Sequence, residues 1–452
     1  MKEDTKDASN TFEIKIDRLT FGGSGLGFKD GLATFVPYSV TEDIVEATYQ
    51  IKKKNYANAN IKNIITPSPH RTSALCPVFG QCGGCQWQMA SYPHQLQAKK
   101  DVVIETFERI AKIPKSQLPI QDCVGMENPW NYRNKVQYPL QRDRSGKLLL
   151  GYYERQSHNI IDLDSCPVQS KIFEEILPQI KAVLSESQWH IYDEVHHQGI
   201  LRHLCFRASE RTGELLVILV ARAGIPAKLT EKLLALKLPH LVGIVENINP
   251  VKTNIIYGIK NHVLWGRDNY FETILNKRFK VSTLSFFQTN TLQAEKIVRH
   301  VLEHLPENLS LAVDAFSGVG LFSLFLADKA QKVIAIEEAT SSYEDAIENQ
   351  KINNQNNIVW IKNKVEIVLQ NMKEKPDLIF LDPPREGLRP ETQTALLRQK
   401  PKFLIYLSCD PATLARDIKI LTEGGYQVTE IVPFDLFPQT YHIETLVYLQ
   451  AS

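Results

Sequence analysis

Along residues 12–66 apolar and polar side chains alternate between glycine-rich turns, as in "FEIKIDRLTFGGSGLGFKDGLATFVPYSV". Alternation of period two, broken by turn formers every few residues, predicts a small all-β barrel. The stretch "IKKKNYANANIK" adds basic side chains, an aromatic ring and amides on one strand and its turn. A solvated hairpin has that composition, and so do small barrels that bind RNA. The alternation stops at "RTSALCPVFGQCGGCQWQMA" (71–90), and "HQLQAKKDVVIETFERIAKI" (94–113) repeats its apolar residues at helical spacing. Residues 130–222 return to strand patterning, with one hairpin expected around Arg144-Ser145-Gly146 and another around Arg211-Thr212-Gly213. From about residue 275 buried-strand runs alternate with helical patterns: "LAVDAF", "KVIAIE", "DLIFLD", "FLIYLSC" and finally "ETLVYLQ". Strands alternating with helices predict a parallel, doubly wound α/β sheet, which gathers ligands at the carboxyl ends of its strands.

Composition adds limits rather than identity. With 43% hydrophobic and 23% charged residues the 452-residue chain reads as a multidomain globular protein. A formal net charge of +1 gives no global basic field, so any nucleic-acid surface must be local. The polar start "MKEDTKDASN" is unlike a signal peptide, and no apolar run is long enough to span a bilayer. Seven cysteines do not suggest a disulfide framework, and a cytoplasmic enzyme without membrane attachment is the expectation.

Candidate chemistry lies at the predicted strand ends. "LAVDAFSGVGLFSLFLA" (311–327) reads as strand, Gly-x-Gly turn and helix, and Glu337 ends the next strand nineteen residues after Gly318. Glycines there let backbone approach a ligand, and an acid at that distance suits ribose hydroxyls. The third glycine of the dinucleotide fingerprint is missing, which disfavours NAD and favours S-adenosylmethionine. "DLIFLDPPREGL" (377–388) puts Asp382 at another strand end. Asp-Pro-Pro there is similar to the active-site loop of amino-group methyltransferases, but Arg385 stands where those carry an aromatic residue, so a carbon target fits better. In "LIYLSCDPATLARD" (404–417) Cys409 ends a strand on the same face, with Asp410 and Pro411 suited to open a helix. A buried, inert thiol is the plain alternative for a lone cysteine. "PQTYHIETLVYL" (438–449) offers His442 and Glu444 beside a last strand.

In this order "DPPR", "LSCDPATLARD" and "HIETLVYL" resemble the RNA uracil-5 methyltransferases, and of these the RumA-type enzymes acting on 23S rRNA. The resemblance runs from about residue 12 to 450. It implies that Cys409 is the nucleophile at uracil C6, that Glu444 is the base at C5, and that Asp382 sits where cofactor and uracil meet. It implies a cofactor-binding set of Gln288 in "SFFQTN", Phe316 in "DAFSGVG" and Glu337, joined by Asp314, Gly318, Asp382 and Asn363. Leu321 replaces an Asn of the RumA-type enzymes, so one cofactor contact is expected to be lost. Cys76, Cys82 and Cys85 have the spacing C-x5-C-x2-C, and Cys166 follows in "DLDSCPV". Spacing alone allows zinc or an iron–sulfur cluster; the resemblance implies a [4Fe–4S] cluster. Cys123 and Cys205 are expected to be buried and inert.

The expected organisation is a polar tail at 1–10, an OB-like TRAM domain at 11–70 that binds RNA, and a β-rich central domain with the cysteine segment at 71–272. A Rossmann-like S-adenosylmethionine-dependent methyltransferase domain follows at 273–452, with the helix near 92–115 free to pack on it. The partner is RNA, 23S rRNA in first place and the tRNA T-loop in second, and the chain is expected to be a monomer. An RNA-binding or assembly factor without activity is the rival from another class.

Overall fold

The structure, a computed structural model, describes residues 11–452. The polar tail expected at 1–10 lies outside the described residues.

Six strands between Thr11 and Thr66 form the first sheet. The chain leaving its first edge strand, Thr11–Lys15, meets Ser24–Lys29, where Asp17 N donates to Leu26 O at 2.8 Å. Gly27 is needed there, because a Cβ would lie 2.1 Å from the Lys15 carbonyl oxygen. A second, seven-stranded sheet runs between Lys135 and Gly266. Two of its hairpins turn where the glycine-containing turns predict, between Arg142 and Leu148 and between Ala208 and Leu215. A two-stranded hairpin, Asn269–Ile274 with Lys277–Ser282, leads from it to the last sheet.

The last sheet positions the site. Its strands are β1 (Leu309–Ala315), β2 (Ala330–Glu337), β3 (Ile358–Lys362), β4 (Leu378–Leu381), β5 (Phe403–Ser408), β6 (Tyr426–Phe434) and β7 (Glu444–Ala451). In space the order is β3-β2-β1-β4-β5-β7-β6. Strands β1 to β5 are parallel, as the alternation predicts. The seventh is not: β7 runs antiparallel to both β5 and β6. No crossover helix separates β6 from β7, so the chain returns through the short loop 435–443 and inserts β7 into the sheet. The insertion carries Glu444, the first residue of β7, to the ends where β4 and β5 finish.

Three helices frame this sheet: α1 (Tyr92–Thr106), α2 (Thr291–His304) and α3 (Pro411–Glu423). Val102, Val103 and Phe107, in and just after α1, share one core with Val313, Ile336, Leu381, Tyr406 and Val447. Ile297 and Val301 of α2 belong to the core on the opposite face, with Phe279, Ala312 and Val333. Both faces of the sheet are therefore covered, which is what its near-continuous apolar strands require. Among the described residues no helix is long and apolar enough to cross a membrane.

Candidate active site

Cys409 follows β5 directly. Asp410 caps α3, its Oδ1 accepting from Ala412 N at 2.9 Å and Thr413 N at 3.0 Å, and Pro411 opens the first turn. The thiol is only partly covered. Burial pushes it up to about 12, with Glu444 and Asp382 acting in the same sense and Arg385 opposing them. Sequence reading noticed Arg385 only for the aromatic residue it replaces; its pairing with Cys409 depends on the fold bringing the loop after β4 against α3.

Several bonds fasten that loop. Thr413 Oγ1 donates to Arg385 O at 3.2 Å, and Arg416 Nη2 donates to Glu386 O at 3.0 Å. Asp417, fully buried, accepts from Leu388 N at 2.8 Å, Gln393 Nε2 at 2.9 Å and Tyr406 OH at 2.7 Å. One carboxylate thus locks the end of the "DPPREGL" loop to α3 and β5.

Glu444 is 7% exposed, and burial holds its carboxyl well above the usual carboxylate range, with Asp382 adding to the effect and Arg385 opposing it. Asp382 is only partly covered, yet the surrounding protein desolvates its carboxyl and, with Asp314 nearby, pushes it up to about 7. Asp314 is pushed up to about 7 as well, by burial above all, with Glu337 adding to it and hydrogen bonds from Ser323 opposing. Asp314 Oδ2 accepts from Ser323 Oγ at 2.5 Å, while its buried Oδ1 has no partner. Glu337, Asp314, Asp382 and Glu444 thus form a row of carboxyls, each close enough to the next to feel its charge, with Cys409 and Arg385 at the far end. A cation in this cleft would relieve the crowding of negative charge.

At the near end of the row Glu337 accepts from Gly318 N at 2.8 Å and Ala339 N at 2.6 Å. Phe316, Glu337 and Asn363 line one cavity of about 330 Å³, with Asn363 exposed at its mouth. Phe316 has φ +71°, rare for a residue with a side chain, and such strain concentrates where a side chain must be aimed. Gly320, at φ +91°, starts the next helix so close to Trp360 that a Cβ would lie 2.7 Å from the indole. Gln288 is buried just before α2, its carbonyl held by Asn134 Nδ2 at 3.1 Å, and does not line that cavity. Leu321 is buried in the core.

His442 is pushed down to about 4 by burial and by the nearby cations of Arg385, Lys99 and Arg133. The loop carrying it is tied to α1: Lys99 Nζ meets Asp435 Oδ1 at 2.5 Å and donates to His442 O at 2.7 Å. Gln95 and Gln439 exchange two hydrogen bonds of 3.0 Å. Nothing in the local sequence signals these pairs.

Cys76, Cys82, Cys85 and Cys166 line a single cavity of about 460 Å³, shared with Tyr132, Arg133 and Thr440. Gln86 N and Trp87 N, just beyond Cys85, donate to Gln439 O at 3.1 and 3.0 Å, so this segment abuts the loop before Glu444. Cys123 and Cys205 are buried, as expected, and burial pushes each thiol up to about 12.

Comparison with known proteins agrees with this geometry. A family model described as tRNA (Uracil-5-)-methyltransferase matches residues 91–452. An "uncharacterized RNA methyltransferase" of Halalkalibacterium halodurans is 37% identical over 450 residues, covering 98% of this chain and 97% of the relative. One of Clostridium tetani is 37% identical over 457 residues, covering 99% and 98%. The crystal structure of Pyrococcus abyssi tRNA (uracil-54, C5)-methyltransferase in complex with S-adenosyl-L-homocysteine superposes with a TM-score of 0.76 at 26% identity, covering 96% of this chain and 100% of that one. The chain belongs to the tRNA (uracil-5-)-methyltransferase family and is an RNA methyltransferase.

Proposed function

We propose that this enzyme uses S-adenosylmethionine to convert a uridine of 23S rRNA to 5-methyluridine through a covalent bond between Cys409 and uracil C6. The observation that carries the reading is the meeting of Cys409, Glu444, Asp382 and Arg385 at one end of the carboxyl row. The cleft suits the cofactor: it offers an aromatic ring at Phe316, a glycine turn at Gly318, the acid Glu337 and an orphaned buried acceptor at Asp314 Oδ1. Once bound there, S-adenosylmethionine would supply a methyl group made electrophilic by its sulfonium charge.

Uracil C5 is too weak a nucleophile to take that methyl group unaided. Arg385 favours the thiolate of Cys409, and addition of the sulfur to C6 leaves C5 with enolate character. After C5 gains the methyl group its proton must leave before the C–S bond can break. Glu444 takes that proton. Its proton affinity, already raised by burial, rises further when the positive charge in the cleft is lost on methyl transfer. The base cannot react within a helix, so it enters from a loop or flipped out, and the N-terminal barrel, read as a TRAM domain, is assigned to holding that RNA.

We assign Cys76, Cys82, Cys85 and Cys166 to a [4Fe–4S] cluster. Four thiols on one cavity are a suitable donor set for such a cluster or for zinc. Held there, the cluster would brace the loop before Glu444.

The test is labelled S-adenosylmethionine with unmodified 23S rRNA and, separately, unmodified tRNA, followed by nucleoside analysis. Label in 5-methyluridine from the rRNA is expected. Label from tRNA alone would overturn the substrate and keep the chemistry, an alternative favoured by the tRNA activity in the name of the Pyrococcus structure. No label in either would overturn the proposal. Anaerobically purified protein should carry about four irons per chain, and zinc in their place would overturn the cluster.

A further inference from the structure

Away from the cleft, two histidines on one face of α2 converge on a glutamate of β6. His300 and His304 stand one turn apart, their rings stacked with centroids 4.1 Å apart and 5° between planes. His300 Nε2 lies 3.9 Å from Glu430 Oε1 and His304 Nε2 lies 3.6 Å from Glu430 Oε2. These distances are too long for hydrogen bonds. They are close to the ligand-to-ligand edge of about 3.4 Å that a tetrahedral ion imposes at ordinary metal–nitrogen and metal–oxygen bond lengths.

Both rings present Nε2 toward Glu430, and a turn of the stacked rings about χ2 would bring the two lone pairs onto one ion. His304 Nδ1 faces the His300 carbonyl oxygen at 2.8 Å; that oxygen can only accept, so Nδ1 carries the proton and Nε2 the lone pair. His300 Nδ1 is 2.9 Å from Tyr448 OH, and that hydroxyl donates to His300 O at 3.3 Å. The hydroxyl oxygen is thereby left to accept from Nδ1, and the Nε2 lone pair of His300 also points toward Glu430. Histidines that ligate metals are held in this way by partners on the other ring nitrogen. Among the described residues this is the one group of three such side chains whose ligand atoms all lie within 4.8 Å. A solvent-open cavity with Gln121, Thr429 and Tyr448 on its walls adjoins His304 and Glu430, leaving room for water as a fourth ligand.

We propose that His300, His304 and Glu430 bind a divalent late first-row metal ion, zinc foremost, which clamps the last turn of α2 to β6. Two imidazoles and one carboxylate suit zinc, cobalt or nickel better than calcium or magnesium. The clamp has a counterpart at the other end of the helix, where Asn290 Nδ2 donates to Leu436 O at 2.9 Å. Helix α2 begins three residues after Gln288, so with both ends fastened it would hold Gln288 in fixed relation to the strand pair that carries Glu444.

Cobalt(II) titrated into anaerobically purified full-length protein tests this. The expected result is one equivalent with the weak visible bands of a nitrogen- and oxygen-ligated ion, without the intense thiolate charge transfer that the cysteine cavity would give. His304→Ala and Glu430→Gln should each weaken binding at least tenfold, and zinc should raise the melting temperature of the wild type but not of these variants. Circular dichroism establishes that each variant is folded, and His300→Gln/His304→Gln provides a second variant of similar bulk. Unchanged affinity in the folded double variant, uptake only with a thiolate spectrum, or no uptake by the wild type would each overturn the site.

Discussion

In the proposed mechanism Cys409 and Glu444 have separable tasks, and their variants should fail differently. Cys409→Ala is expected to lose methyl transfer while keeping S-adenosylmethionine affinity, measured by calorimetry beside the transfer assay. Glu444→Gln should accumulate an enzyme–RNA adduct that survives denaturing electrophoresis, because the C5 proton has nowhere to go. Normal turnover without adduct would move the base elsewhere. Asp314 supports a pH prediction: its folded-state value is raised from 3.8 to about 7, so the folded protein holds the proton more tightly than the unfolded chain. That contribution is complete in acid and is lost as pH rises through about 7. Ligand-free protein should lose melting temperature over that rise, and Asp314→Asn should flatten the slope. Cys409, Asp382 and Glu444 were legible because short motifs mark them at strand ends. Arg385 as partner of Cys409 was not, since its meaning depends on an element twenty-four residues farther along.

At the scale of elements, the sequence reads best where one strand and one helix follow in turn. Strands β1, β2, β4 and β5 stand out as apolar runs buried on both faces. β6 is harder to see, because "YQVTEI" mixes polar positions into an edge strand. The reversed β7 looks like any buried strand, since direction leaves no mark on composition. Asp417 is the fastening between elements with the sharpest prediction. Asp417→Ala would leave Leu388 N, Gln393 and Tyr406 without their shared acceptor inside the core. A loss of about 3 kcal/mol is expected in chemical denaturation, at the upper end for hydrogen bonds to a charged group. In the fraction that stays folded, kcat should fall more than cofactor affinity, because the freed loop carries Arg385.

Over the whole molecule the decisive contacts join residues far apart in the chain. Lys99 and Asp435, both fully buried, pair across 336 residues, and Gln95 and Gln439 across 344. Lys99→Met should cost about 3–5 kcal/mol by stranding the Asp435 carboxylate in the core. Lys99→Met/Asp435→Leu should recover much of that, read as a coupling energy in a double-mutant cycle. Such pairs were illegible in the sequence, where a lysine within a helical pattern looks like a solvated residue.

Helix α1 also governs the order of events in folding. Val102 and Val103 of this helix, with Phe107 just after it, fill one face of a sheet whose strands are all made more than two hundred residues later. The nascent chain must therefore keep this apolar stripe uncommitted until most of the polypeptide exists. Contacts of such long sequence separation make folding slow, and a stripe left waiting is prone to aggregate. Residues 273–452 expressed alone would display the complementary empty groove and should recover solubility when the α1 segment is supplied as a separate peptide.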